Sequence, residues 1–304
     1  MTSRKGLSCC ILDPTGNITA LVEGDVPVSR QPETAARIMR LRPETEQVGF
    51  VRMRGADHAE ESAQDTEGQN ETLNSGIQVR LRMAGGEFCG NASMSAAALY
   101  LYRMGADHSA KSTATEEPSA ADAWTNVFLE VSGAEEPVEV RLREIPAAGP
   151  AWSARVKMPK ASGIEPFEDM TLVRMQGISH MIIEEGSRFF HLKNDKSAAE
   201  AAVREWCGRL SADGLGLMFL EREEAAQRWK MTPLVFVPGS GTVFWENSCA
   251  SGTAAAGMCF SARSGKREEL ALQEPGGELQ VFSDPATGET WLSGTVRLTE
   301  EFAL

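Results

Sequence analysis

Gly85-Gly86-Glu87-Phe88-Cys89-Gly90-Asn91-Ala92-Ser93 and Trp245-Glu246-Asn247-Ser248-Cys249-Ala250-Ser251-Gly252-Thr253 are two versions of one pattern. In each, a cysteine is followed by small polar residues and then by an alanine-rich run. Small polar residues suit a helix start, where the first backbone N–H groups lack intrahelical partners. The alanines that follow have high helix propensity. Each stretch therefore predicts a turn that delivers a thiol to the first turn of a helix. One helix is expected from Cys89 to about Tyr102, the other from Cys249 to about Ala262.

The elements around these helices also repeat. In the first half, strands are expected over Leu7–Leu12 and Ile18–Glu23, joined by the turn Asp13-Pro14-Thr15-Gly16-Asn17. A helix follows over Pro32–Leu41, then strands over Gln47–Met53 and Ile77–Met83. After the first cysteine helix comes a hairpin, Val127–Val131 with Val138–Leu142. In the second half, strands are expected over Ala154–Met158, Leu172–Met175 and His180–Glu184. A helix over Ala198–Leu210 opens after Lys196-Ser197, with Ser197 as its cap. Strands over Leu217–Leu220, Leu234–Val237 and Thr242–Trp245 lead to the second cysteine helix. The hairpin Leu270–Gln273 with Leu279–Phe282 turns at Pro275-Gly276-Gly277. Phe128–Gly133 and Leu270–Pro275 match in pattern, so the repetition reaches past the cysteines.

This order predicts an α/β (mixed α+β) fold of two similar halves related by a pseudo-twofold axis. Residues 1–148 form the first and 149–289 the second, with the linker at Ile145–Pro150. The final strand, Trp291–Leu298 within 290–304, is a candidate to rejoin the first half. The polar segments Gly55–Gly76 and Gly105–Ala123 are expected to be surface loops.

A length of 304 residues accommodates two ordinary domains. The 42% apolar and 24% charged content is that of a globular chain. A net charge of −13 argues against nucleic-acid or anionic-membrane partners, which need clustered Lys and Arg. No apolar run approaches a membrane span, and Leu7–Leu12 is too short for a secretory signal core. Six cysteines are too few for a disulfide framework, and reduced thiols in the cytoplasm are expected. Cys9 and Cys10 are adjacent in a strand and should face opposite sides. Cys207 and Cys259 fall in helices as packing residues. His58, His108, His180 and His191 are scattered, with no zinc-site spacing. No phosphate loop, Gly-x-Gly-x-x-Gly turn or His-Glu-x-x-His helix is present, so neither a metal nor an organic cofactor is indicated.

A thiol at a helix start lies near unpaired N–H groups and the positive end of the helix dipole, which favour a thiolate. The same N–H groups can hold a carboxylate, and Asn91, Ser93, Ser251, Gly252 and Thr253 suit that role. Two such thiols facing one pocket make a base and an acid on opposite sides of a substrate. One takes the α-proton of an amino acid; the other returns a proton to the opposite face. Packing is the other use of cysteines in these positions. A redox pair is disfavoured by the lack of Cys-x-x-Cys spacing.

Gly86–Ser95 and Trp245–Ala254 resemble the two cysteine motifs of cofactor-independent amino-acid racemases and epimerases with the diaminopimelate epimerase fold. Within that family they are most similar to the histidine racemases of staphylopine-type metallophore synthesis. Pro14–Thr19, Glu46–Phe50 and Gln273–Gly277 carry the resemblance through nearly the whole chain. It implies two pseudo-symmetric domains, a small amino-acid substrate in the cleft between them, no cofactor, and a homodimer as the common assembly. It implies Cys89 and Cys249 as the acid/base pair. Asn17, Gly90, Asn91 and the backbone of Ser251, Gly252 and Thr253 would hold the amino and carboxylate groups. Glu46 stands where the histidine racemases have an acid facing the substrate. Glu246, Asn247 and Ser248, just before the second cysteine, complete the expected site.

His180 falls near the Asn-Pro-His turn of diaminopimelate epimerases, without the Asn and Pro. It is expected either in the pocket or as a structural residue. The Glu-Arg pair with which those epimerases grip the far end of their substrate is absent, and Glu246 stands closer to the cysteine. This favours the histidine branch over diaminopimelate or another polar amino acid. A non-catalytic amino-acid-binding protein is the alternative of another class, disfavoured because binding alone needs no thiol pair. Phenazine-biosynthesis-type isomerases share the fold but lack the cysteines. Ala250 departs from the glycine usual at its position.

Overall fold

The computed structural model describes residues 7–54, 76–109, 123–146, 149–223, 228–239 and 241–304, the side chains of 106–109 excepted. The first half runs β1 (Ser8–Pro14), β2 (Thr19–Glu23), α1 (Gln31–Leu41), β3 (Gln47–Met53), β4 (Val79–Met83), α2 (Gly90–Ser109), β5 (Thr125–Val131), β6 (Val138–Glu144) and β7 (Ala151–Met158). The second runs β8 (Gly163–Phe167), β9 (Met170–Arg174), β10 (Ser179–Glu184), α3 (Lys196–Leu210), β11 (Leu215–Glu223), β12 (Arg228–Val237), β13 (Thr242–Trp245), α4 (Ala250–Ser264), β14 (Glu268–Glu274), β15 (Gly277–Asp284) and β16 (Glu289–Ala303).

Strand pairing repeats between the halves. From β1 to β7, neighbours pair antiparallel, parallel, antiparallel, parallel, antiparallel, antiparallel. The series β9, β10, β11, β12, β14, β15, β16 pairs in the same sequence of senses. β16 also pairs with β7 and with β1, so β1 to β7 and β16 close into an eight-stranded ring. The expected return of the last strand to the first half is this pairing, and the strand is longer than its apolar core suggested.

α2 is the axle of the ring and touches all eight strands. α4 packs against β9, β10, β11, β14, β15 and β16. Both helices are apolar on every side rather than amphipathic, as a helix enclosed by sheet must be. Every residue from Asn91 to Leu99 and from Ala250 to Ser261 is buried. Their alanines keep each helix thin enough for strands to wrap closely. The hairpin strands supply the wall: in β5, Val127, Leu129 and Val131 point inward while Asn126, Phe128 and Glu130 face out.

Cys9 and Cys10 are both fully buried on opposite faces of β1, as expected. Cys9 packs with Ile11, Ile38 and Val48 beneath α1. Cys10 joins Leu12, Leu21 and Leu81 around α2. Cys207 and Cys259 are packing residues of their helices.

Three local expectations are corrected. α3 is capped by Asp195, whose carboxylate accepts from Ala198 N–H at 3.0 Å, not by Ser197. Asp is at least as good a cap as Ser, and it stands two residues earlier. α2 continues to Ser109, past Gly105, because that glycine is tolerated once the helix is nucleated on a buried face. β8 was not anticipated. It is mostly exposed, pairs only with β9 and carries Pro166, so it lacks the alternation that marks a strand. The loop expectations over 55–75 and 110–122, the linker positions 147–148 and His58 lie outside the described residues.

Candidate active site

The two cysteine helices start side by side. A Cβ built on Gly90 would lie 3.0 Å from the Ala250 Cβ and 3.2 Å from the Met158 sulfur. The bare Gly90 is therefore what admits Ala250 where a glycine was expected. A methyl on one helix start fits only if the other has none. Gly90→Ala is accordingly expected to destabilise the protein by roughly 1–3 kcal/mol through overpacking. Adding Ala250→Gly should recover part of that loss. Chemical-denaturation midpoints of the two single variants and the double variant check this, and strict additivity would exclude the contact.

A cavity of about 340 Å³ opens at these helix starts. Cys89, Gly90, Asn91, Cys249 and Ser251 line it, together with Glu46, Glu87 and Glu246. Apolar walls come from Met39, Phe88, Ile178, Val235 and Phe244. Its size and apolar walls suit a small ligand held by a few polar groups. The charged side chains that line it are all carboxylates.

The cysteines are held by their own helices. Cys89 O accepts from Ser93 N–H at 3.0 Å and from the Ser93 hydroxyl at 2.7 Å. Ala92 N–H points at the Cys89 sulfur, 3.4 Å away. Cys249 is the N-cap of α4, and its O accepts from Thr253 N–H at 2.9 Å. The Ser251 hydroxyl lies 3.7 Å from its sulfur.

Glu46 ties the two halves together at the cavity edge. It accepts from Asn17 Nδ2 at 2.8 Å, from Asn247 N–H at 3.2 Å and from Asn247 Nδ2. Burial raises its carboxyl, and these three donors oppose the rise. Glu246 accepts from Gln47 Nε2 at 3.2 Å. Burial pushes Glu246 up to about 8, with the charges of Glu46 and Glu87 acting in the same direction. Asn91 Nδ2 donates to Ser248 O at 3.1 Å, while its Oδ1 and the Asn17 Oδ1 are buried without partners among the described residues.

One electrostatic expectation is overturned. The helix starts were expected to lower the two thiols, but both are raised. For Cys89, burial is the largest cause, the Ala92 N–H opposes it, and Glu246 and Glu87 add to it. For Cys249, burial is followed by the charges of Glu246 and Glu274. Desolvation and neighbouring carboxylates outweigh the dipole because both thiols are almost fully enclosed.

Seven of the expected site residues line the cavity: Glu46, Cys89, Gly90, Asn91, Glu246, Cys249 and Ser251. Asn17, Asn247, Ser248, Gly252 and Thr253 are not among its lining residues: the two asparagines bond Glu46, Ser248 O accepts from Asn91, and Gly252 and Thr253 belong to the first turn of α4. Gly252 is needed there, since a Cβ would meet the Met218 sulfur at 2.1 Å and the Cys249 sulfur at 3.1 Å. His180 does not line the cavity. It sits in the core on the same face of β10 as Ile182, fully buried, with no hydrogen-bond partner for either ring nitrogen among the described residues. Burial lowers it to about 3, so it is a neutral packing residue.

Glu87 and Glu274 were missed. Glu87, two residues before Cys89, is half-buried and raised by desolvation. Its Oε2 lies 2.4 Å from where a Cβ on Gly85 would be, so that glycine makes its room. An acid inside the cysteine motif was a readable signal. Glu274 lay in a segment that carries the family resemblance, but nothing near it announced Cys249, which it reaches through the packing of β14 on α4.

A histidine racemase family model, described as the CntK N-terminal domain, matches residues 9–300. A histidine racemase of Fusobacterium nucleatum subsp. nucleatum is 27% identical over 300 residues, covering 95% of this chain and 94% of that protein. The histidine racemase of Staphylococcus aureus is 26% identical over 282 residues, covering 89% and 86%. Among solved structures, a probable proline racemase from Agrobacterium radiobacter has a TM-score of 0.63 at 12% identity, covering 98% of this chain and 92% of its own. A hydroxyproline epimerase from Agrobacterium vitis has a TM-score of 0.58 at 12% identity, covering 100% and 94%. At those identities the structural likeness speaks for the mixed α/β fold alone. The family match spans nearly every element that builds the cavity, from β1 into β16, and on that ground the chain belongs to the histidine racemase family and is an amino-acid racemase.

Proposed function

We propose that the chain inverts the α-carbon of free histidine with Cys89 and Cys249 as its two acid/base residues. The observation that carries this reading is that equivalent helix starts in the two halves bring both thiols to one cavity. One thiolate removes the α-proton from one face, and the opposite thiol protonates the other face. The carbanion forms beside a carboxylate held by the N–H groups of both helix starts, which are fixed in place before the charge develops. Reversal exchanges the two roles, so a repeated architecture suits a symmetric reaction.

The charged lining favours histidine. Glu46, Glu87 and Glu246 present carboxylates, which suit an imidazolium side chain and its ammonium group. Diaminopimelate carries a second carboxylate, and no Lys or Arg among the described lining residues would receive it. Two diaminopimelate-epimerase-like halves, a cytoplasmic location and a homodimer belong to the same proposal; we draw the boundary after β7 rather than at 148/149, because β7 pairs with β6 and with β16, whose segment 290–304 rejoins the first half. No helix among the described residues is long and apolar enough to cross a membrane.

Incubation in heavy water with single L-amino acids, without added cofactor, tests the assignment. L-Histidine is expected to gain deuterium at Cα and to lose chirality. Exchange with diaminopimelate but not histidine would reassign the substrate, and no exchange with any amino acid would end the proposal.

A further inference from the structure

Glu274 ends β14 directly beneath the start of α4. One carboxylate oxygen accepts from the Cys249 backbone N–H at 2.7 Å, and the other from the Thr253 hydroxyl at 2.5 Å. The two contacts span the first turn of the helix. A capping box satisfies the N-cap N–H with a glutamate of the same helix. Here the glutamate comes from a strand 25 positions further along the chain. It is almost fully buried. At the corresponding turn of the first half stands Ser132, which donates to Glu87 O at 3.0 Å and accepts from Met83 N–H at 2.9 Å. The two thiols thus sit on equivalent frames with unequal supports.

We propose that Glu274 is the positioning residue of the second thiol: it clamps the start of α4 and, by setting a carboxylate against that helix end, makes Cys249 the member of the pair that holds its proton in the free protein. Cys89 is then the first to ionise. The proposal rests on the two-thiol reading above and extends it to the resting state.

The surrounding charges are consistent with this order. Glu246, from the connection before α4, and Glu274, from β14, both face Cys249. Glu87 and Glu246 face Cys89. Glu87 is tucked against Gly85, whereas Glu274 binds the backbone of the reacting cysteine itself. Burial and the charge of Glu246 push Glu274 up to about 8, while Cys249 is raised well above the usual thiol range. As pH rises, Glu274 therefore ionises first, and the Cys249 proton must leave against a carboxylate already charged. At the ordinary end of a helix the dipole would favour the thiolate. Glu274 opposes that help at α4, beside the larger effect of Glu246, which faces both thiols.

Alkylation of each thiol by iodoacetamide across a pH series, read peptide by peptide by mass spectrometry without substrate, tests this. In the unmodified protein Cys89 should react at lower pH than Cys249. Glu274→Gln keeps an acceptor for the Cys249 N–H but removes the charge. It should move the Cys249 midpoint down by roughly one unit and leave that of Cys89 in place. Thr253→Val loses one anchor but keeps the carboxylate, and its Cys249 midpoint should stay unchanged. Comparing one cysteine between variants cancels differences in access. An unmoved Cys249 midpoint in Glu274→Gln would overturn the proposal, as would equal midpoints of the two thiols in the unmodified protein if that variant does not fold. Because no substrate is used, these outcomes are separate from failure of the racemase assignment, which only the exchange experiment reads.

Discussion

Cys89→Ser and Cys249→Ser are each expected to cut racemisation by roughly 10³-fold or more, at the upper part of what positioned acid/base groups supply. The sulfur and oxygen side chains are nearly the same size, so the cavity and its walls should persist. What changes is the acidity of the group. A serine hydroxyl holds its proton far more tightly than a thiol, and neither cavity nor helix end compensates for that. The loss should also be divided between the enantiomers. With one thiol intact, α-proton exchange in heavy water should survive only for the enantiomer whose proton faces the remaining cysteine. Inversion needs both thiols and should vanish in both variants. Following deuterium uptake and chirality together separates the two. If either variant kept a tenth of the original racemisation rate, the two-thiol mechanism would be wrong.

Gly16→Ala is expected to destabilise the protein by on the order of 3 kcal/mol, the combined result of backbone strain and overpacking. Gly16 has φ +91, where a side chain is strained. Its Cβ would also lie 2.4 Å from the Gly276 Cα and 2.8 Å from the Gly276 carbonyl carbon and oxygen. Those are backbone atoms, so no rotamer change relieves the overlap. The β1–β2 turn and the β14–β15 turn meet back to back at these two glycines. Gly276 N–H donates to Asn247 O at 2.7 Å, and Asn17 follows Gly16 directly. Activity should therefore fall with stability. Gly186 has nothing within 4 Å of a built Cβ, and Gly186→Ala should stay within about 0.5 kcal/mol of the unmodified protein. Urea denaturation of both variants checks the contrast, and similar midpoints would refute the contact.

The two predictions differ in how far the sequence foretells them. The placement of Cys89 and Cys249 at helix starts is visible in two nine-residue stretches, since helix starts and helix interiors are written in adjacent residues. Gly16 is readable as a turn residue, but nothing near it announces Gly276. The same division runs through the site. Glu246 was expected from its place in the second motif, and Glu46 from the family resemblance. Glu87 lay inside a motif and was passed over because it was weighed as chain rather than as charge. His180 was drawn toward the pocket by its sequence neighbourhood, yet its ring is fully buried in the core, two residues past Ile178, which does line the cavity. The expected lowering of the two thiol pKa values failed because a helix end was judged without its burial.

By itself the sequence determined the order of elements, the repeat, the buried alanine helices and the presence of a thiol at the start of each. These follow from local propensity and periodicity, which act over a few neighbouring residues. The tertiary structure alone decided that β16 closes the first ring, that Gly90 makes room for Ala250, and that Glu274 stands under Cys249. Those contacts depend on strand register and on which surfaces meet across long stretches of chain. A shift of one residue in the register of β14 would send Glu274 to the other face of its sheet.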